Sequence, residues 1–234
     1  MAAWAPPAAG AGDALAAMRR EIDALDARIG ELISERARWA QKVAVAKGPR
    51  PGKGGAVDYY RPEREAQVLR GVVERNDGPL TDEEMIRLFR EIMSACLAQE
   101  EPLKVGYLGP EGTFSQSAVY KHFGHSVRAL PLATIDEVFH EVESGAADFG
   151  VVPIENSTGG TVNHTLDMFL GSPLKICGEV ELRVRQHLLG TMKSLDQVAR
   201  VSAHPQSFAQ CRTLLPFAVI AGRPAQRQTQ RDAQ

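Results

Sequence analysis

Six apolar side chains, Leu15, Met18, Ile22, Leu25, Ile29 and Leu32, follow one another at alternating spacings of three and four residues. That is the seam of a long packed helix, because only a period of about 3.5 keeps such positions on one side of the rod. The pattern predicts a helix from Ala14 to about Lys47, with Asp13 as its N-cap. It ends at Gly48-Pro49-Arg50-Pro51-Gly52-Lys53-Gly54-Gly55, where ring-restricted and unrestricted backbone mix without periodicity. A stripe of this length outruns what two shorter helices of the same chain can cover, so a second copy of the chain is the expected partner.

Pro62, tolerated in a first turn, opens a second helix to about Arg75, which Asn76-Asp77-Gly78-Pro79 breaks. Thr81 followed by Glu84 is a capping box for a third helix to about Gln99, with Met85, Leu88, Phe89, Ile92, Met93 and Cys96 on its buried face. The period changes at Pro102. Leu103 to Leu108, Val127 to Leu132, Phe149 to Ile154 and Leu174 to Val184 read as strands, with helices from Ser115 to Phe123 and Thr134 to Ser144 between them. Such alternation implies right-handed crossovers and a largely parallel sheet. The reading is thus a disordered lead-in over 1–12, an all-helical unit over 13–101 and an α/β unit from 103 onward.

Composition narrows the function classes. Twenty-seven basic against 29 acidic side chains give a net charge of -2, so no global field points to nucleic acid or an acidic membrane surface. No apolar run approaches the roughly 18 residues of a spanning helix, and the opening MAAWAPPAAGAGD has no basic n-region of a signal peptide. Cys96, Cys177 and Cys211 lie outside any CxxC spacing, which predicts reduced thiols in a cytoplasm and no zinc. His122 and His125 have no carboxylate arrangement around them suggestive of a metal cage.

Any anion site is therefore local, and the long helix offers one. Arg36 and Lys47 are about three turns apart on one face, roughly 16 Å along the axis, so long side chains can lean inward around a small dianion. Arg19 falls roughly 100° off that face and is better placed for a neighbouring subunit's pocket. By themselves such cations also fit a solvated face on a dimerisation coiled coil without chemistry. The stretch LAAMRREIDALDARIGELISERARWAQKVAVAK, followed by YYRPEREAQVL and LFREIMSACLAQEE, closely resembles the chorismate mutase domain of the bacterial bifunctional chorismate mutase/prephenate dehydratases. The resemblance spans residues 14–101. It implies an all-α, three-helix, intertwined dimer in which Arg19, Arg36, Lys47 and Arg64 hold the two carboxylates and the ether oxygen of chorismate, and Glu65 accepts its hydroxyl. Cys96 stands where the family often has serine, Arg61 where it often has aspartate, and Glu100 where some relatives have glutamine.

The implied reaction is a Claisen rearrangement of chorismate to prephenate, which breaks an ether C–O bond and makes a C–C bond in one step. It needs no cofactor, metal or nucleophile. Holding the reactive conformer and aiming donors at the ether oxygen suffice. Lys47 donates, whereas Glu100 donates only when protonated. An unperturbed glutamate titrates near 4.3, so Glu100 contributes only where apolar or anionic surroundings keep it protonated, and turnover is then expected to fall as pH rises through neutrality.

In the α/β unit, the strand at Leu103–Leu108 runs into Gly109-Pro110-Glu111-Gly112-Thr113-Phe114-Ser115 and a helix start, where backbone donors favour an anion. A tight turn capped by Thr113 or Ser115 is the plainer alternative. A second strand ends in Glu155-Asn156-Ser157-Thr158-Gly159-Gly160-Thr161, which belongs at the same carboxyl edge of the sheet and makes a cleft with the first loop. KVGYLGPEGTFSQSA, FGVVPIENSTGGTVNHTLD and CGEVELRV resemble prephenate dehydratase, implying a periplasmic-binding-protein-like fold of two lobes. AHPQSFAQC resembles the opening of the second lobe, with Ala203 for a usual serine and, earlier, Gly159 for a usual glutamate. The implied dehydratase cleft holds Thr113, Ser115, Glu155, Asn156, Ser157, His204 and Gln206. The family's Thr-Arg-Phe segment does not occur, and 217–234 reads as a polar tail without family likeness.

The expectation is thus a cytoplasmic, homodimeric chorismate mutase over 13–101, binding chorismate and prephenate. It is followed over 103–216 by a partial prephenate dehydratase domain, truncated before its catalytic segment and lacking the family's regulatory ACT domain. A fully bifunctional enzyme and a non-catalytic dimeric binder of small anions are the alternatives.

Overall fold

A computed structural model of the protein describes residues 11–47, 60–99, 102–156, 160–191, 194, 201–203, 207 and 211. The first ten residues, the breaker run after Lys47, and the tail from 217 lie outside the described residues.

The first helix, α1 (Ala11–Lys47), is a single rod. Asp13 lies inside its first turn rather than capping it. Good helix formers such as Ala11 and Ala14 carry the helix upstream of the expected start, and a carboxylate there complements the positive end of the helix dipole. The heptad residues Leu15, Met18, Ile22, Leu25, Ile29 and Leu32 are each between 49% and 64% exposed, so nothing in the described chain covers the seam.

Pro62 opens α2 (Pro62–Glu74) from an extended Arg61, as its fixed φ favours. The predicted capping box starts α3 (Asp82–Leu97): the Glu84 amide donates to Thr81 Oγ1 at 3.3 Å and the Thr81 amide to Glu84 Oε2 at 3.0 Å. Both short helices pack together, and α3 also packs on α1. Cys96 is buried as expected, but Leu88 remains 47% exposed.

The α/β unit contains β1 (Lys104–Leu108), α4 (Phe114–Phe123), β2 (Arg128–Leu132), α5 (Ile135–Glu143) and β3 (Phe149–Val151). The three strands form a parallel sheet in the order β2-β1-β3. Val105 and Tyr107 of β1 are fully buried beneath Val119 and Phe123 of α4. On the opposite face Gly106 pairs with Gly150. A Cβ at Gly150 would lie 2.8 Å from Val138 Cγ1, so the missing side chain is what lets α5 pack close to the sheet.

Beyond β3 the structure departs from expectation. The strand stops at Val151, before Pro153, and a short antiparallel hairpin follows from β4 (Glu155–Asn156) and β5 (Gly160–Thr161). A further helix, α6 (Asn163–Gly171), then docks through the fully buried Thr165, whose hydroxyl donates to Pro153 O at 2.7 Å. The predicted strand at Leu174–Val184 does not form. Strand-forming side chains need a paired neighbour, and this segment instead crosses α4, where Lys121 Nζ donates to Glu181 O at 2.7 Å.

Candidate active site

A cleft of about 390 Å³ opens between the end of α1 and the start of α2, lined by Val43, Arg61, Glu63, Arg64 and Gln67. Arg61 and Arg64 are three residues apart at the mouth of α2, which sets both on one side of its first turn. Arg64 Nη1 donates to Gln67 Oε1 at 3.3 Å. On α1, Arg36 precedes Val43 by two turns and Lys47 follows it by one, so both positions lie on the face that meets this cleft. Arg36 is half-buried, and the side chain of Lys47 lies outside the description.

Arg19 is exposed on α1, roughly 26 Å up the axis from Arg36. No side chain spans that length, so within one chain Arg19 and the cleft stay apart. Cys96 is buried on α3 and does not line the cleft. Glu100 lies outside the described residues.

Glu65 turns the other way. Its Oε1 accepts from Arg90 Nε at 3.1 Å, with both side chains largely buried, and Arg90 Nη1 donates onward to Lys121 O in α4 at 3.0 Å. Tyr60 belongs to the same group. Burial first, then the neighbouring Glu65 carboxylate and the hydrogen bond to it, push the Tyr60 hydroxyl well above its ordinary value. His122, beneath them, is pulled down mainly by burial. Sequence reasoning passed over Tyr60 and Arg90. Their only signal was their presence inside YYRPEREAQVL and LFREIMSACLAQEE, without any periodicity to mark them.

In the α/β unit, the parallel sheet sets the ends of β1 and β3 at one edge. Thr113 is the N-cap of α4: its hydroxyl accepts from the Gln116 amide and donates to Leu108 O, both at 3.4 Å. The plainer reading, a capped turn, is therefore present. Ser115 is half-buried in the first turn of α4, and Glu155 and Asn156 form β4. Ser157, His204 and Gln206 lie outside the described residues. Among the described residues no group of three or more His, Cys, Asp or Glu side chains is arranged to hold a metal ion, and no helix is long and apolar enough to cross a membrane.

Residues 18–101 match the family model for chorismate mutase type II, and residues 105–220 match that for prephenate dehydratase. The chain belongs to the bifunctional chorismate mutase/prephenate dehydratase family. A protein of that name from Stutzerimonas stutzeri is 61% identical over 204 residues, which cover 87% of this chain and 56% of the relative. Another from Pseudomonas aeruginosa is 59% identical with the same coverage, and one from Escherichia coli K12 is 30% identical over 86% of this chain and 55% of its own length. The chain spans about half the length of the curated relatives it matches.

The helical unit is thus a chorismate mutase domain and the α/β unit a prephenate dehydratase domain with a parallel sheet. They meet through hydrogen bonds between α3 and α4. Besides the Arg90 bonds, His125 Nδ1 and its backbone amide meet Glu91 at 2.7 and 3.1 Å, and the Ser126 amide donates to Ser94 Oγ at 3.3 Å. The mutase domain's third helix is therefore hydrogen-bonded directly to the turn that ends α4.

Proposed function

We propose that the chain is a homodimeric chorismate mutase that rearranges chorismate to prephenate on the route to phenylalanine, in a cytoplasm. The observation that carries this is the pair Arg61 and Arg64 facing α1 across a cleft of about 390 Å³, sized for one small molecule. Arg36 and Lys47 extend the positive lining along α1, and Arg19 of a second copy completes it. The uncovered heptad seam supports that second copy, with the two long helices intertwined.

In such a pocket the fixed cations clamp both carboxylates, which draws the flexible enol ether into its chair-like reactive shape. As the C–O bond breaks and the C–C bond forms, negative charge grows on the ether oxygen. Lys47, and Glu100 in its protonated form, stabilise that charge by donating to it. Glu65 is held by Arg90 and Tyr60 on the side away from the cleft, so accepting the substrate hydroxyl requires that it leave those partners and swing toward α1.

The dehydratase domain, proposed to have the periplasmic-binding-protein-like lobe architecture, supports a second reading in which prephenate is carried on to phenylpyruvate. The 234 residues contain no Thr-Arg-Phe run, and tested by themselves they are proposed to release no phenylpyruvate. The deciding assay is loss of chorismate absorbance with the purified chain. A rate no higher than the spontaneous rearrangement, with chorismate still bound, would leave the anion-binding alternative standing. Phenylpyruvate formed from added prephenate would establish the bifunctional reading instead.

A further inference from the structure

We propose that the dehydratase domain positions the mutase cleft, and that Tyr60 is the positioning residue through which it does so. The inference rests on the mutase reading above for its kinetic consequence but not for its structural content. Tyr60 is the residue before Arg61, yet its ring is not seated in the helical domain. It is only 8% exposed and clusters with Leu103, Val105, Tyr107, Val119 and Phe123 of the α/β core. Its centroid lies 5.6 Å from that of Phe123 and 5.3 Å, edge-on, from that of Phe149.

A second tether begins five residues along. Glu65 accepts from Arg90 Nε at 3.1 Å, and Arg90 Nη1 reaches Lys121 O of α4 at 3.0 Å. The first turn of α2 is therefore fixed to the dehydratase domain on both sides of Arg61 and Arg64. Pro62 presets the backbone at the start of that turn, but Arg61 makes no side-chain cap. An uncapped first turn leaves amides unsatisfied and frays readily. Without the tethers, the two arginines would have to be ordered by the substrate itself. A clamp ordered by its ligand binds more weakly, while the chemical step that follows is little changed.

Steady-state kinetics and hydrogen–deuterium exchange on the full chain test this. Tyr60→Ala is expected to raise KM for chorismate on the order of tenfold with kcat within about twofold, and to speed exchange over residues 61–65. Tyr60→Phe keeps the ring and is expected to hold KM within about threefold of wild type. Should Tyr60→Ala fail to fold, Arg90→Met decides, because it cuts the second tether and leaves the aromatic core intact. It is expected to raise KM about threefold and to speed the same amides. Unchanged KM and unchanged exchange over 61–65 in the variants that fold would overturn the proposal. If wild-type protein rearranges no chorismate, the mutase reading fails by itself, and the exchange data alone still decide whether Tyr60 orders the turn.

Discussion

His125 Nδ1 lies 2.7 Å from Glu91 Oε1, and the His125 amide donates to the other oxygen of the same carboxylate at 3.1 Å, joining α3 of the mutase domain to the turn after α4. Burial pushes the Glu91 carboxyl up, but the bonds from the His125 ring and amide, with the charges of His125 and Arg90, outweigh it and hold the group below its ordinary 4.5. A depressed carboxylate contributes stability that is fully present above its unfolded-state value and is lost as pH falls through the folded-state value. Wild type should therefore melt above Glu91→Gln at neutral pH, with the gap closing between about pH 5 and about pH 3. The side chains are 69% and 38% exposed, so the gap should be small, on the order of a degree or two. Thermal melts of both proteins across that range check it, and a gap that widened in acid would contradict the pairing.

Gly124 takes φ +77, and a Cβ there would sit 2.5 Å from Ser94 Cβ and 2.8 Å from its hydroxyl. Gly124→Ala thus meets both backbone strain and a collision with the facing helix, and should cost about 1–3 kcal/mol. Ser94→Gly removes the collision but also the bond from Ser126 and places a glycine inside α3, so Gly124→Ala should cost less in the Ser94→Gly background than in wild type, the remainder being strain. Urea denaturation of the four proteins of that cycle gives the comparison. A single variant as stable as wild type would mean that α3 and the turn after α4 do not meet as closely as described.

Ile22 and Ile29 are 55% and 52% exposed on the α1 seam. If a second copy covers them, each side chain adds about half of the roughly 1.5–3 kcal/mol that full burial contributes, or about 1 kcal/mol. Ile22→Asp with Ile29→Asp should yield a monomer by light scattering and abolish chorismate turnover, since Arg19 then has no pocket to complete. A dimer that survived both changes would require a different interface.

Glu100→Gln should flatten the pH profile of mutase turnover, because an amide donates a hydrogen bond at every pH and a carboxylic acid only while protonated. Wild-type kcat should fall as pH rises through neutrality. A flat wild-type profile from pH 6 to about pH 9 would remove Glu100 from the chemistry.

How much of this was legible in the sequence varied with the range of the interaction that fixes it. The α1 seam, Pro62 at a helix start and the Thr81–Glu84 capping box are set by neighbours within one or two turns, and their signals survive in the order of residues. The parallel sheet was readable because β1, β2 and β3 each carry their own apolar run. Leu174–Val184 looked the same but is not a strand, since pairing depends on a free edge elsewhere in the fold. Nor could any local pattern show that Tyr60, between a glycine-rich run and a helix, fills a core built from residues 103–149. Arg61 and Arg64 were visible as cations. That Glu65 between them and the next turn faces the other domain was not, because the direction follows from Arg90, 25 residues away.

Arg64 supplies the sharpest test of the cleft. It is exposed, and its contact in the described residues is the 3.3 Å bond to Gln67, itself on the cleft wall. Its removal should therefore leave stability nearly untouched, within about 0.5 kcal/mol, as for surface changes generally. A charge-assisted bond to a substrate carboxylate contributes about 1.5–3 kcal/mol, so Arg64→Ala should lower kcat/KM by roughly 10- to 100-fold with an unchanged melting temperature. Arg64→Lys keeps the charge but loses the two-pronged geometry, and should fall between. If Arg64→Ala instead lost stability and activity together, the arginine would be a structural strut rather than part of the substrate clamp. If kcat/KM did not change, the cleft between α1 and α2 would not be where chorismate binds.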